Sequence, residues 1–231
     1  MKIGIFGDSF AQEAGTGSWV TMLSEKHEVN CNAFCGTSLF HCYQTMLQTD
    51  MSLFDTVIVA VTNAGRLYTG YDIDIEKPYL SGIETAMYHK KTASAADIDR
   101  INAGIDYYLH LMEDSYINYV QESIIRDIID LVPCKLILLP SFLHSYTPTL
   151  NRYVSEYINS NFSLYCITEM ERQILNVKPG SVEKNTLYNH MCEDNNRILC
   201  SYITDLLSGR QKKLSLDLFV SPSMNREYYY E

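Results

Sequence analysis

Thr56-Val57-Ile58-Val59-Ala60-Val61 is a continuous apolar run in which every residue but Ala60 is β-branched. It has no polar alternation. A strand of this kind is covered on both faces, as in a parallel sheet held between helices. It stops at Thr62-Asn63-Ala64-Gly65, a turn composition. Working outward, Lys2-Ile3-Gly4-Ile5-Phe6 ends at Gly7-Asp8-Ser9, residues 28–34 end at Cys35-Gly36-Thr37-Ser38, and residues 135–139 end at Pro140-Ser141. A weaker run at 163–167 supplies a fifth strand. Helical patterns separate the runs, one around Trp19, Val20, Met22 and Leu23, another over 191–207 carrying Ile198, Leu199, Tyr202, Ile203 and Leu206. Strands alternating with helices predict an α/β fold with a mostly parallel five-stranded sheet.

The 231 residues are 46% hydrophobic and 20% charged, ordinary globular usage that excludes a disordered or fibrous chain. Eighteen basic against 28 acidic residues leave a net charge of −10, which repels phosphate backbones and anionic lipid. No nucleic-acid or membrane partner is therefore expected. No apolar run approaches the ~20 residues that span a bilayer, and the opening run reaches Asp8 too early for a signal peptide. The expectation is a soluble, cytoplasmic protein. Three of the seven cysteines (Cys31, Cys134, Cys166) lie in or beside apolar runs and read as reduced, small hydrophobes. The cluster Cys31, Cys35, His41, Cys42 lacks a Cys-x-x-Cys pair and a second ligand pair, so no metal is expected.

One domain is expected over 1–208, with a helical insertion at about 65–132 and a C-terminal extension over 209–231. The insertion reads as loop to about residue 91, with a capping signal at Ser94 and Asp97. Two stripes at helical spacing follow. Ile117, Val120, Ile124, Ile128 and Leu131 should pack on the sheet. Ile98, Ile101, Ile105, Tyr108 and Met112 should extend the same core, cover the mouth of a site or meet a second subunit, giving a homo-oligomer. Residues 214–220 are strand-like.

Function in open parallel sheets collects at the carboxyl ends of strands. Three such ends carry a serine on a turn before a helix (Ser9), a glycine whose amide can approach a ligand (Gly36), and an asparagine amide (Asn63). These are the parts for acyl transfer, a nucleophile with donors for an oxyanion. Each has an ordinary alternative: Ser9 and Asn63 as caps, Gly36 as a turn glycine. For a base, His190 lies in Tyr188-Asn189-His190-Met191, in a loop immediately before the last helix. His41 and His144 follow other strand ends and are its rivals.

In these residues the chain resembles the SGNH (GDSL-like) hydrolases. Gly7-Asp8-Ser9-Phe10 looks like the first block and Gly36 the glycine of the second. Val61-Thr62-Asn63-Ala64 keeps the asparagine of the third without its flanking residues, and His190 matches the histidine of the last, with Leu187 where an aspartate is usual. The blocks occur in family order from residue 7 to residue 190. The resemblance implies a three-layer α/β/α sandwich and a serine hydrolase acting on an ester, such as an O-acetyl group on a carbohydrate. Ser9 would be the nucleophile and His190 the base. The amides of Ser9 and Gly36 and the Asn63 side chain would form the oxyanion hole, with Asp8, Arg66 and Tyr68 beside the pocket. It calls for no cofactor or metal. With Leu187 in place of the acid, three routes stay open. A backbone carbonyl can orient the imidazole in a Ser–His dyad, the favoured route; Glu183 or Asp194 can reach in; or catalysis has been lost and the fold binds a glycan or a protein partner. A phosphate-binding α/β protein using the Gly7-Asp8-Ser9 turn as an anion nest fits less well, since there is no Gly-rich loop or P-loop lysine.

Overall fold

The computed structural model describes residues 1–66, 95–175, 191–210 and 213–219. Four parallel strands, β1 (Lys2–Gly7), β2 (Glu28–Ala33), β3 (Thr56–Val61) and β4 (Lys135–Pro140), form one sheet in the order β2-β1-β3-β4. In register, Ile5 sits between Cys31 and Ile58, and Val59 faces Leu138. The central strands are the continuous apolar runs. All six residues of β3 and the last five of β1 are buried. The edge strand β2 carries the mixed pattern of a strand covered less completely.

The helices are α1 (Trp19–Ser24), α2 (Leu39–Leu47), α3 (Ala95–Asp106), α4 (Asp114–Leu131), α5 (Pro148–Val154), α6 (Leu164–Leu175) and α7 (Glu193–Leu207). α1 packs on α7, while α4 packs on both α2 and α5, giving two helical groups about one sheet, compatible with an α/β/α sandwich. α3 continues as a π-helical turn, Tyr107–Leu111, before α4 starts at the Glu113 cap. Ile124, Ile125 and Ile128 of α4 are buried in the core, with Val120 and Leu131 packed against it, so this stripe behaves as a layer helix. Of the stripe that begins at Ile98, Ile101 is buried and Met112 is 37% exposed. The expected cap at Ser94 and the loop before it lie outside the described residues.

The expected fifth strand at 163–167 is a helix start, and among the described residues the sheet has four strands. The Ser163 hydroxyl accepts the Cys166 N–H at 3.3 Å, and the buried residues Leu164, Ile167, Thr168 and Glu171 follow a helical period. Tyrosine hydroxyls take the place of a fifth strand on the free edge of β4. The Tyr157 hydroxyl accepts the Leu138 N–H at 3.1 Å and donates to the Leu138 carbonyl at 3.3 Å, and Tyr153 donates to the Leu136 carbonyl at 3.2 Å. A sheet edge plugged in this way has few groups left to template another strand. Tyr157→Phe should therefore destabilise the protein by about 1–3 kcal/mol, because a buried N–H loses its acceptor. Urea denaturation reads this directly, and an unchanged midpoint would mean that water replaces the hydroxyl.

Residues 214–220 do not form a strand among the described residues. Leu214 makes a single parallel bridge to Ile158 and Leu216–Leu218 is a 3₁₀ turn. Leu214 and Phe219 are nonetheless part of the core, Phe219 stacking on Phe162 at 5.8 Å.

Candidate active site

With strand order β2-β1-β3-β4, successive connections leave β1 on opposite sides. The carboxyl ends of β1 and β3 therefore flank the point where an open α/β sheet makes its crevice. β1 closes tightly on β3 there: a Cβ at Gly7, whose φ is +135°, would lie 2.6 Å from the Ala60 carbonyl oxygen. The chain then turns through Asp8 and Ser9. Asp8 is fully buried, and its Oδ1 accepts the Phe10 N–H and the Ser141 hydroxyl, both at 3.1 Å. The Ala11 N–H bonds back to the Asp8 carbonyl at 3.0 Å, closing the turn that holds Ser9 half-buried.

The second loop is tied to the first. Phe34 N–H donates to the Gly7 carbonyl, and the Thr37 hydroxyl sits between the carbonyls of Gly7 (3.2 Å) and Phe34 (2.9 Å). Gly36 between them has φ +75°, a left-handed conformation suited to glycine. Ser38 caps α2 by accepting the His41 N–H. Cys35 brings its thiol within hydrogen-bonding reach of the Ser9 side chain. Its pKa is raised by desolvation, against the opposing pull of the Arg66 charge, so the thiol stays protonated.

The third loop is held from below. The Thr62 carbonyl accepts the Ser145 hydroxyl at 3.0 Å and the Gln121 amide at 3.3 Å, which ties β3 to α4. Asn63 Oδ1 accepts the Gly65 N–H at 2.8 Å, fixing the carboxamide, and its Nδ2 has no partner among the described residues. A side-chain donor held this way is available to a ligand. Tyr108, from the π-helical turn, donates to the Gly65 carbonyl at 2.9 Å, so the end of the stripe that begins at Ile98 lies at the mouth of this loop. Asn63, Arg66 and Ser38, with Tyr107 and Tyr116 of the insertion, line a cleft of about 300 Å³.

Arg66, for which a solvated side chain is the default, is half-buried as a residue, with only 9% of its side chain exposed. Its Nη1 lies 3.3 Å from Asp8 Oδ2 and donates to the Thr37 carbonyl at 3.1 Å, and the guanidinium covers the Phe142 ring at 5.1 Å. The structure thus brings Asp8, Ser9, Gly36, Asn63 and Arg66 together at adjoining strand ends. Tyr68, Glu183, Leu187 and His190 lie outside the described residues. Asp194, one of the two candidate replacement acids, is exposed in the first turn of α7. Among the described residues no group of His, Cys, Asp or Glu side chains is arranged to hold a metal ion.

Two polar groups that sequence reasoning missed secure the start of α7. Its N-cap, Cys192, makes no side-chain capping bond. Glu171, fully buried on α6, supplies it instead: both carboxylate oxygens accept the Cys192 N–H (3.0 and 3.1 Å), and Oε1 also accepts the Asn195 amide at 2.5 Å. Asn196 accepts the Trp19 N–H at 3.0 Å and donates to the Met191 carbonyl at 3.0 Å, while the Trp19 indole donates to the Phe10 carbonyl at 2.7 Å. Met191 is thereby wired to the turn that follows Ser9. The signal for Glu171 is its spacing, four residues after Ile167 and seven after Leu164, which is visible only once this segment is read as a helix.

Burial raises the Glu171 pKa above its ordinary value, its hydrogen bonds opposing the shift only in part. The folded state then binds this proton more tightly than the unfolded chain. Its contribution to stability is fully present below the unfolded pKa of ~4.3 and is lost as pH rises through the higher folded value. Glu171→Gln should flatten that slope. The urea midpoint of the variant should fall less between pH 4.5 and 7.5 than that of the parent chain, and equal slopes would contradict the assignment.

No protein-family model matches this chain, and a search of curated proteins returns no significant match.

Proposed function

We propose that the chain is a serine esterase of SGNH type, with a four-stranded version of the three-layer α/β/α sandwich. One observation carries the reading: the Gly7-Asp8-Ser9 turn, Gly36 and Asn63 stand at the carboxyl ends of three adjoining strands and are cross-linked there by side-chain bonds. Ser9 attacks the acyl carbon of an ester. The amides of Ser9 and Gly36, with Asn63 Nδ2, hold the oxyanion. His190 takes the serine proton and returns it to the leaving alcohol, and water then releases the acyl group by the same route reversed. The choice of His190 is supported by its chain neighbour Met191, whose carbonyl is linked through Asn196 and Trp19 to the carbonyl of Phe10, the residue after Ser9. The substrate is a small ester, with acetylated carbohydrates the first class to try.

Hydrolysis of short-chain aryl esters and acetylated sugars, measured alongside fluorophosphonate labelling, tests the reading. Labelling of Ser9 with turnover supports it. A serine that neither labels nor turns over favours the second reading, a fold that binds a glycan or protein partner, to which Ala64 and Leu187 at the degenerate blocks point. Within the esterase reading, Asn63→Ala should lower kcat about 10²–10³-fold and leave KM nearly unchanged, since an oxyanion donor acts chiefly in the transition state. A KM rise at constant kcat would make Asn63 a ground-state binding residue.

A further inference from the structure

We propose that Arg66 is a positioning residue of this site: through Asp8 and the Thr37 carbonyl it sets the spacing of the Ser9 turn, the Gly36 loop and the Asn63 loop. The inference rests on the esterase reading, and goes beyond it in assigning a role to a residue that carries no step of the proposed acyl transfer.

The geometry is specific. Arg66 comes three residues after Asn63, and its backbone N–H donates to the Asn63 carbonyl at 3.3 Å. Its Nη1 reaches Asp8, the residue before Ser9, and the carbonyl of Thr37, the residue after Gly36. Its Cζ lies over the Phe142 ring, and Ser141, the neighbour of Phe142, hydrogen-bonds the same Asp8 carboxylate. Arg66 therefore ties the segment after β3, which carries it, to segments after the other three strands, and each of the three groups proposed to meet the oxyanion lies within three residues of Arg66 or of one of its side-chain contacts. A buried ion pair is a weak source of stability compared with apolar packing of the same volume, and its best-attested use is to specify one arrangement over others. A planar fork is suited to that use, because it holds a carboxylate and a carbonyl while lying on a ring, which an ammonium on a flexible stem cannot do together.

Arg66→Lys is the informative variant, because it keeps a cation beside Asp8. The expected result is a 10–100-fold loss in kcat with KM within threefold, a parallel loss in the rate of fluorophosphonate labelling of Ser9, and faster amide hydrogen exchange at Gly36 and Thr37 with β3 unchanged. Tyr157→Phe, at the edge of β4 and outside the site, serves as the control for lost stability, and its kcat should stay within threefold of the parent. If the lysine variant does not fold, the double variant Asp8→Asn with Arg66→Met removes both charges at once and should show the same kcat and exchange changes. A folded Arg66→Lys with parental kcat, or with unchanged exchange at Gly36 and Thr37, overturns the inference while an active parent leaves the esterase reading standing. A parent that hydrolyses no ester and leaves Ser9 unlabelled overturns both.

Discussion

Ser9→Ala is expected to remove ester hydrolysis, lowering kcat by on the order of 10³-fold or more, while the protein keeps its fold. The loss is large because the hydroxyl is the atom that becomes covalently bound to the acyl group. What remains is the transition-state stabilisation supplied by the oxyanion donors and substrate binding alone. The fold survives because the turn does not depend on the Ser9 side chain. The turn is closed by the Ala11 N–H on the Asp8 carbonyl and by the Phe10 N–H on the Asp8 carboxylate. Removing the half-buried Ser9 hydroxyl forfeits its hydrogen bond with the Cys35 thiol, a loss of roughly 1 kcal/mol. Thermal melting and turnover of the two proteins, measured together, separate the effects. Near-parental turnover in Ser9→Ala would move the nucleophile elsewhere. The adjacent Cys35 thiol is the first residue to examine, and sensitivity of that residual activity to iodoacetamide would identify it. Burial raises its pKa above the ordinary thiol value, which keeps its thiolate fraction low near neutral pH.

Arg66→Met should produce the largest stability loss of any single change considered, about 3–5 kcal/mol, because it leaves the Asp8 carboxylate buried without its cation. Among the described residues the remaining partners, Ser141 and the Phe10 N–H, both sit on Oδ1, and Oδ2 has no hydrogen bond, only the nearby guanidinium. For a chain of this length the melting temperature should fall by roughly 6–20 °C. Adding Asp8→Asn should recover much of the loss, since the uncompensated charge is then gone, and the double-mutant cycle measures the coupling. The exposed pair Arg197–Glu193, at 68% and 54% side-chain exposure, provides the contrast: breaking it should cost ~0.5 kcal/mol or less. A loss below ~1 kcal/mol for Arg66→Met would mean that water reaches Asp8 and replaces the cation.

The strands β1, β3 and β4 were legible because their sequences are unbroken apolar runs, a pattern imposed by cover on both faces. Their carboxyl ends were legible for the complementary reason: a strand must stop at residues that turn, and Gly7-Asp8-Ser9, Gly36 and Asn63 stand at such stops. The run at 163–167 misled because a serine and four apolar residues fit either period, and only the buried Glu171 farther along, on the same face as Leu164 and Ile167, separates helix from strand. The closure of the sheet at four strands was hidden for a different reason. It depends on two tyrosine hydroxyls meeting the backbone of β4, and a tyrosine in sequence carries no mark of what its hydroxyl will meet.

By itself the sequence determined the parallel α/β class, the order of its strands along the chain and the serine, glycine and asparagine at three strand ends, because burial periodicity and turn chemistry are local properties of a chain. The tertiary structure alone decided the spatial strand order, the count of four, the capping of α7 by Glu171 and the burial of the Arg66 side chain. The partners of Arg66 at Asp8, Thr37 and Phe142 lie on three other loops, brought within 3.3 Å of its Nη1 or under its Cζ only by the packing of all four strands. An arginine's environment is set by long-range contacts, and no local pattern distinguishes one that is solvated from one that holds a site together.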